Sequence, residues 1–386
     1  MKVIKDDSMK VPVKSWCMNP EDGAIEQAKN LARLPFVHKW IALMPDTHQG
    51  YGMPIGGVCA TKGVIIPNMV GVDIGCGMCA LKTNIRGFDT EILKKVIGEV
   101  RKVVPVGFNK HPVAQDASLM PTGRMGAVCE REYKNALFSI GTLGGGNHFL
   151  EFQKDKEGNL WVMIHSGSRN FGKQVADHYN KLAEAINTKY FSSVPLDYEL
   201  AFLPLDSDEG QAYKVEMDYC IDFALANRKL MMKNVQSVLG VNFPYATCEP
   251  IINIAHNYAR LEKHFGENVI VHRKGATSAK LGEVGIIPSN MGNDSYIVEG
   301  KGNPDSFQSC SHGAGRAMGR KQAQRTLNLS AEQDALNAKG IIHSVRSVDD
   351  LDEAPSSYKN MDVVMAEQQD LVKVLVELSP LGVIKG

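Results

Sequence analysis

The chain has 386 residues, 44% hydrophobic and 22% charged, a globular composition that excludes a disordered or fibrous protein. Lys plus Arg and Asp plus Glu each number 43, so the net charge is zero; this argues against non-specific coating of nucleic acid or membrane and leaves a local basic groove open. Eight cysteines form no disulfide framework, residues 1–7 lack the apolar stretch of a leader, and no run approaches a membrane span, so a cytoplasmic protein with free thiols is expected.

Apolar spacing predicts amphipathic helices over 22–34 and 90–104. Between them, residues 55–70 are rich in Val and Ile, broken at Gly63 and Pro67, and read as strand or hairpin. The stretch 106–130 carries Gly, Pro and polar residues and reads as a long surface loop. Residues 174–191 and 214–239 show the strongest helical pattern, with a Pro-containing acidic loop over 194–210 between them. Beyond about 250, short strands at 268–272, 283–287 and 295–299 alternate with turns. Helices over 313–327, 330–339 and 362–378 follow, and 382–386 reads as a last strand. No repeat and no clean linker divides the chain. The expected architecture is α+β, a single compact interwoven domain over 1–386 around a central cleft.

The segment Gly71-Val72-Asp73-Ile74-Gly75-Cys76-Gly77 places a carboxylate and a thiol three residues apart in a backbone that glycines let bend. A buried, unpaired charge is costly, and a metal ion supplies the compensation: it holds the thiol deprotonated and takes the carboxylate as a second ligand. A structural turn with a buried Cys is the alternative reading of this segment alone. Four further segments set a His among Gly, Asn and Ser at an expected strand end: His148 after Gly144-Gly145-Gly146-Asn147, His165 before Ser166-Gly167, His256 before Asn257, and His312 before Gly313-Ala314-Gly315. One such His is more often structural than a ligand. Four of them with Asp73 and Cys76 exceed a simple catalytic site, and imidazole with thiolate suits Zn, Mn, Fe or Co, so two ions bridged by Cys76 are expected.

His312 stands apart, at the start of the predicted helix carrying Arg316, Arg320, Lys321 and Arg325. Such a terminus is an anion site, and the His is a candidate nucleophile towards phosphorus; a helix end with a solvated basic face reads equally well. Cys79, which completes a Cys-x-x-Cys with Cys76, has no second pair and reads as a small core residue.

These motifs resemble the RtcB family of RNA-splicing ligases. The likeness begins at Met44-Pro45-Asp46-Thr47-His48-Gln49-Gly50, runs through 71–77 and the four His segments, and reaches Lys385-Gly386, with Thr47 and Cys79 as departures from the usual pattern. The resemblance implies a pair of Mn²⁺ ions held by Asp73, Cys76, His148, His165 and His256. It implies that His312 is the residue that becomes guanylylated, with Asp46 orienting its ring. Asn147 and Glu151 match residues contacting phosphate and ribose, Gly313, Ala314 and Gly315 would wrap the nucleotide, and Tyr358 and Lys385 would hold guanine. The implied reaction is GTP-dependent. His312 takes GMP from GTP and passes it to an RNA 3′-phosphate, formed where needed from a 2′,3′-cyclic phosphate, and a 5′-hydroxyl end then displaces GMP. RNA, as tRNA halves or broken RNA, is the expected partner, and an archease-like activator is one the family admits. Arg169, Lys173, Arg273, Lys274, Arg316 and Arg320 are candidates to line an RNA groove.

The rival reading is a dinuclear metallophosphoesterase, since Asp46-x-His48 and Gly146-Asn147-His148 imitate two of its motifs; the middle motif, Gly-Asp-x-x-Asp, is absent. The Lys-x-Asp-Gly of lysine-dependent ligases and the P-loop are absent too.

Overall fold

Runs rich in Val, Ile and aromatic residues build two large sheets in the computed structural model, which describes residues 1–386. The first has six strands, in the spatial order Lys2–Ile4, Val13–Ser15, Val37–Tyr51, Met53–Thr61, Glu267–Lys274 and Asn257–His264. The second has seven: Ile252–Ala255, Gly77–Lys82, Leu160–Ser166, Phe149–Lys154, Val372–Lys385, Ser295–Gly300 and Val284–Ile287. Within them only Val13–Ser15 and Val37–Tyr51 pair in parallel. Each sheet takes strands from distant parts of the chain, so no single cut separates them. The fold is one α+β domain, interwoven as expected.

Helices cover the sheets. Thr90–Val103 buries Leu93, Val96, Ile97 and Val100, one face at helical spacing, and the Asp89 side chain caps it by accepting from Ile92 N–H. The long helix Asp208–Asn242 starts at Ser207, whose hydroxyl accepts from Gly210 N–H. It packs with Ala127–Ser139 and Arg169–Lys189 around Phe171, Tyr179, Met217 and Phe223. From this helix the fully buried Arg228 donates to the carbonyls of Gly75 and Ser166 at 3.0 and 2.7 Å. One guanidinium thus anchors two loops that carry expected ligands.

The predicted elements differ from the structure at three places, and several strands carried no signal. Residues 362–378 form a helix only over Met361–Ala366; from Val372 the chain is a strand to Lys385, inserted between Phe149–Lys154 and Ser295–Gly300. A run such as Val372-Lys-Val-Leu-Val-Glu-Leu satisfies both periodicities, and two neighbouring strands decide it. Within 313–327 only Arg320–Thr326 is helical. The stretch 106–130 is largely loop, but the helix Ala127–Ser139 begins inside it. Residues 55–70 are strand broken at Gly63 and Pro67 as expected: Met53–Thr61, Val64–Ile65 and a 3₁₀ turn at Pro67–Met69. The strands Val37–Tyr51, Gly77–Lys82, Phe149–Lys154, Leu160–Ser166, Ile252–Ala255 and Asn257–His264 were not predicted.

Candidate metal and nucleotide site

Strand register assembles the ligand set. Gly77–Lys82 pairs on one side with Leu160–Ser166, setting Met78 opposite His165, and on the other with Ile252–Ala255, setting Gly77 opposite Ala255. Phe149 in turn lies opposite His165. Cys76, His148 and His256 each flank one of these strands, so four segments deliver their donors to one edge of the second sheet. His256 is also the residue at which the chain passes from the second sheet, at Ile252–Ala255, into the first, at Asn257–His264. Its N–H donates to the Cys76 carbonyl at 2.8 Å. Gly77 is required here, because a Cβ would run into the Ile254 carbonyl.

The donors converge. Cys76 Sγ lies 3.4 Å from both His148 Nε2 and His165 Nε2. His148 Nε2 is 3.0 Å from Asp73 Oδ2, and His165 Nε2 is 3.1 Å from His256 Nε2. Cys76 belongs to two donor groups, one with His165 and His256 and one with Asp73 and His148. His165 Nδ1–H donates to the Asn147 carbonyl and His256 Nδ1–H to Asn257 Oδ1. Those bonds select the tautomer whose Nε2 lone pair faces inward. Burial also drives the pKa of His165 and His256 well below the ordinary range, so both are neutral. Lone pairs of two neutral imidazoles facing each other at 3.1 Å, with the Cys76 sulfur 3.4 Å from one of them, are repulsive without a cation. The donor set fits divalent metal binding.

His312 sits beside this cluster, its ring centroid 4.7 Å from that of His256. It does not begin a helix: it follows the short strand Ser309–Ser311, and the turn through Gly313-Ala314-Gly315 is non-helical. The reason is local. Gly315 takes φ +72°, outside the helical region, because its backbone presses on that of Asp46, where a Cβ would collide. In place of a helix terminus, Asp46 organises the turn. Its Oδ2 accepts from His312 Nδ1–H at 2.6 Å, from His312 N–H at 3.1 Å and from Gly313 N–H at 3.3 Å. Asp46 is completely buried; burial pushes its pKa up, but His312 and its other neighbours outweigh this and hold it below the ordinary value. With Nδ1 carrying the proton, the His312 Nε2 lone pair is free. Lys359 steadies the arrangement, donating to the carbonyls of Pro45 and Thr47 on either side of Asp46.

A cleft of about 970 Å³ opens over both groups, lined among others by Asn147, His312, Gly313, Ala314, Gly315 and Tyr358. Asn147 is exposed at its edge. A narrow recess shares Phe149, Ser289 and Tyr358 with the cleft and continues to Glu151, Glu353 and Lys385. The recess therefore brings Glu151 together with Tyr358 and Lys385. Burial raises the Glu151 carboxyl to about 8, partly opposed by Gln153 and Lys385. Ser289 Oγ is buried there without a partner. Ser289 and Glu353 carried no signal in the sequence: one is a lone Ser in a turn, the other ends an acidic run that reads as solvated.

The candidate groove cations divide. Arg316 and Arg320 line the cleft, as does Lys274. Lys274 is buried, however, and its ammonium donates to the carbonyls of Tyr51 and Asn68. Arg273 is fully buried and pairs with Glu262 at 2.5 Å, so it belongs to the core and not to a groove. Arg169 donates to Thr142 Oγ1 and the Gly107 carbonyl, and Lys173 pairs with Asp177 at the surface. Cys79 is completely buried among Leu81, Leu150 and Ile164, the core role expected of it. Asp46 and His48 do not enter the ligand cluster as a phosphoesterase pair would: Asp46 holds His312, and His48 Nδ1–H donates to the Asp46 carbonyl at 2.9 Å.

A cluster of metal-type donors sharing one sulfur thus lies beside an imidazole locked by a buried carboxylate, under one cleft. The family model described as tRNA-splicing ligase RtcB matches residues 27–129 and 113–386, and the chain belongs to the RtcB family. It is 37% identical over 401 residues to the RNA-splicing ligase RtcB of Escherichia coli K12, covering 97% of each chain. Against the tRNA-splicing ligases RtcB of Thermococcus kodakarensis and Methanococcus maripaludis the identities are 32% and 33%. These alignments cover 99% and 98% of this chain and 96% of each relative. No helix is long and apolar enough to cross a membrane.

Proposed function

We propose that the protein is a cytoplasmic GTP- and Mn²⁺-dependent RNA ligase that joins RNA 3′-phosphate or 2′,3′-cyclic phosphate ends to 5′-hydroxyl ends. The observation that carries this reading is His312: Nδ1 bound to a buried carboxylate, Nε2 free, ring 4.7 Å from the donor cluster, all within one cleft. Its membership of the family, and the names its relatives bear, support ligase chemistry over phosphoester hydrolysis.

In this reading Asp73, Cys76, His148, His165 and His256 hold two Mn²⁺ ions. When bound, the ions neutralise charge that develops on phosphate oxygens. The protein's own groups do the rest. His312 Nε2 attacks the α-phosphorus of GTP; a P–N bond forms, the α–β bridging P–O bond breaks, and pyrophosphate departs. Asp46 accepts from Nδ1–H throughout and stabilises the positive charge that the ring gains on losing its lone pair. The RNA 3′-phosphate then attacks the same phosphorus and frees His312. Its own phosphorus, now carrying GMP as a leaving group, is open to the 5′-hydroxyl oxygen. Gly313, Ala314 and Gly315 lie close against the nucleotide and Asn147 meets phosphate at the edge of the cleft. Glu151, expected at phosphate and ribose, lines the recess with Tyr358 and Lys385 and not the cleft, so the three receive guanine where the recess opens. Arg316 and Arg320 supply positive charge along the RNA path, on broken RNA or tRNA halves. An archease-like helper would act on turnover.

Incubation with labelled GTP and Mn²⁺ tests the first step. The wild type should form an acid-labile, alkali-stable GMP adduct, and His312→Ala should form none while keeping its metal. Labelling retained in that variant would move the nucleophile elsewhere. Joining of a 3′-phosphate strand to a 5′-hydroxyl strand, dependent on GTP and Mn²⁺, tests the whole reaction.

A further inference from the structure

One carboxylate ties the recess to the cleft. Glu353 ends the 3₁₀ turn Val348–Glu353 and is only 5% exposed. Its Oε2 accepts from Lys385 Nζ at 2.6 Å and from the Tyr358 hydroxyl, both of which line the recess. Its Oε1 accepts from Arg316 Nη1 at 3.2 Å and Arg320 Nη1 at 2.5 Å, both of which line the cleft. A buried carboxylate without partners is strongly disfavoured, whereas this one meets three cations and a phenol. Burial opposes its ionisation, but Lys385 and Arg320 hold its pKa down to about 2. Glu353 is therefore an anion throughout the working range.

The effect passes outward to the two residues that face the base. Burial favours a neutral Lys385, and the main countercharge is Glu353. The other charged or titratable groups around that amine include Glu151, Asp352, Arg320, Tyr358 and His165. Glu353 takes one of the three N–H groups of Lys385, which leaves two available on a residue that lines the recess. Tyr358 donates its hydroxyl to the same oxygen, so its ring, with the Arg316 guanidinium 5.3 Å from the centroid, is what a bound base meets. An ammonium with free N–H groups donates to a carbonyl oxygen and is repelled by the N–H groups of an amino substituent.

We propose that Glu353 is a positioning residue that sets purine selectivity: it holds and aims the Lys385 amine and fixes the Tyr358 ring, so that the mouth of the recess takes a 6-oxopurine and turns away a 6-aminopurine. This rests on the guanine-nucleotide reading above. Glu353 touches neither the base nor the reacting phosphorus and acts through its neighbours.

Glu353→Gln tests it, because the side chain keeps its volume and an acceptor oxygen but loses the charge. The KM for GTP in adduct formation should rise about tenfold, and the preference for GTP over ATP should fall by about tenfold or more. The rate at saturating GTP and the metal content should stay near the wild-type values. Glu353→Asp keeps the charge but shortens its reach, and should give an intermediate preference; it carries the test should the Gln variant fail to fold. A GTP-over-ATP ratio within about twofold of wild type in the folded variant would overturn the proposal, and so would a lowered rate with unchanged selectivity. Equilibrium binding of GMP against AMP reads the same ratio without chemistry. An absent adduct in the wild type would thus sink the ligase reading, while the binding ratio would still decide the role of Glu353.

Discussion

Replacing Asp46 with Asn isolates the contribution of one charge to the nucleophile. Asn has almost the same volume, so the fully buried site should still close around it. Its amide oxygen can replace Oδ2 as acceptor for His312 Nδ1–H, His312 N–H and Gly313 N–H. What disappears is the negative charge 2.6 Å from a ring that becomes positive as its Nε2 bonds to phosphorus. A hydrogen bond to a charged group contributes about 1.5–3 kcal/mol, against about 1 kcal/mol for a neutral one. The charged partner gains most when the imidazole is itself charged, so the upper end of that difference, about 2 kcal/mol, falls on the transition state, or about 30-fold in rate. The assay is the single-turnover rate of GMP adduct formation with labelled GTP, alongside metal content by elemental analysis. Metal content should not change, because Asp46 belongs to neither donor group. An adduct rate within about threefold of wild type would refute the argument. Loss of metal would show that Asp46 supports the cluster and not the nucleophile.

Cys76→Ser should remove binding of both ions together, since one sulfur serves both donor groups; elemental analysis returning one tightly held ion would disprove the sharing. Gly77→Ala forces a Cβ onto the Ile254 carbonyl. It should cost about 1–3 kcal/mol in urea denaturation and weaken metal binding by displacing Cys76, and a wild-type midpoint would contradict that packing. Glu262, paired with buried Arg273 and with His264, has its pKa lowered from 4.5 to about 2, although its burial opposes ionisation. A depressed carboxylate pKa contributes stability that is fully present above 4.5 and disappears as the pH falls through 2. Glu262→Gln should therefore lose about 3 kcal/mol at neutral pH, and the wild-type and variant stability curves should converge in acid. Parallel curves down to the lowest pH would show that the pair contributes nothing.

Local chemistry marked the donors. Asp73, Cys76, His148, His165 and His256, with His312 beside them, were visible because ligand-type side chains among Gly and Asn are poor candidates for a dry core. Helices such as Thr90–Val103 and Asp208–Asn242 were visible because a 3.6-residue period and a cap are properties of one segment. The strand Val372–Lys385 was not, because its pattern satisfies two periods and its neighbours lie far away in the chain. Nor was the turn after His312, where the approach of Gly315 to the Asp46 backbone, and not intrinsic propensity, prevents a helix. Arg273 shows the same limit for charge: the sequence reads it as a groove cation, and Glu262 places it in the core.

The sequence alone determined which side chains could bind a metal or attack phosphorus, because ligand and nucleophile chemistry belongs to the residue. Tertiary structure decided which of them meet and in what state. The row formed by Met78, His165 and Phe149 is a matter of strand register, and the tautomer of His312 is set by a carboxylate 266 positions away. Glu353 became a hub only because burial brought a lysine, a tyrosine and two arginines to one carboxylate. Each of these depends on distance in space, which composition and spacing do not encode.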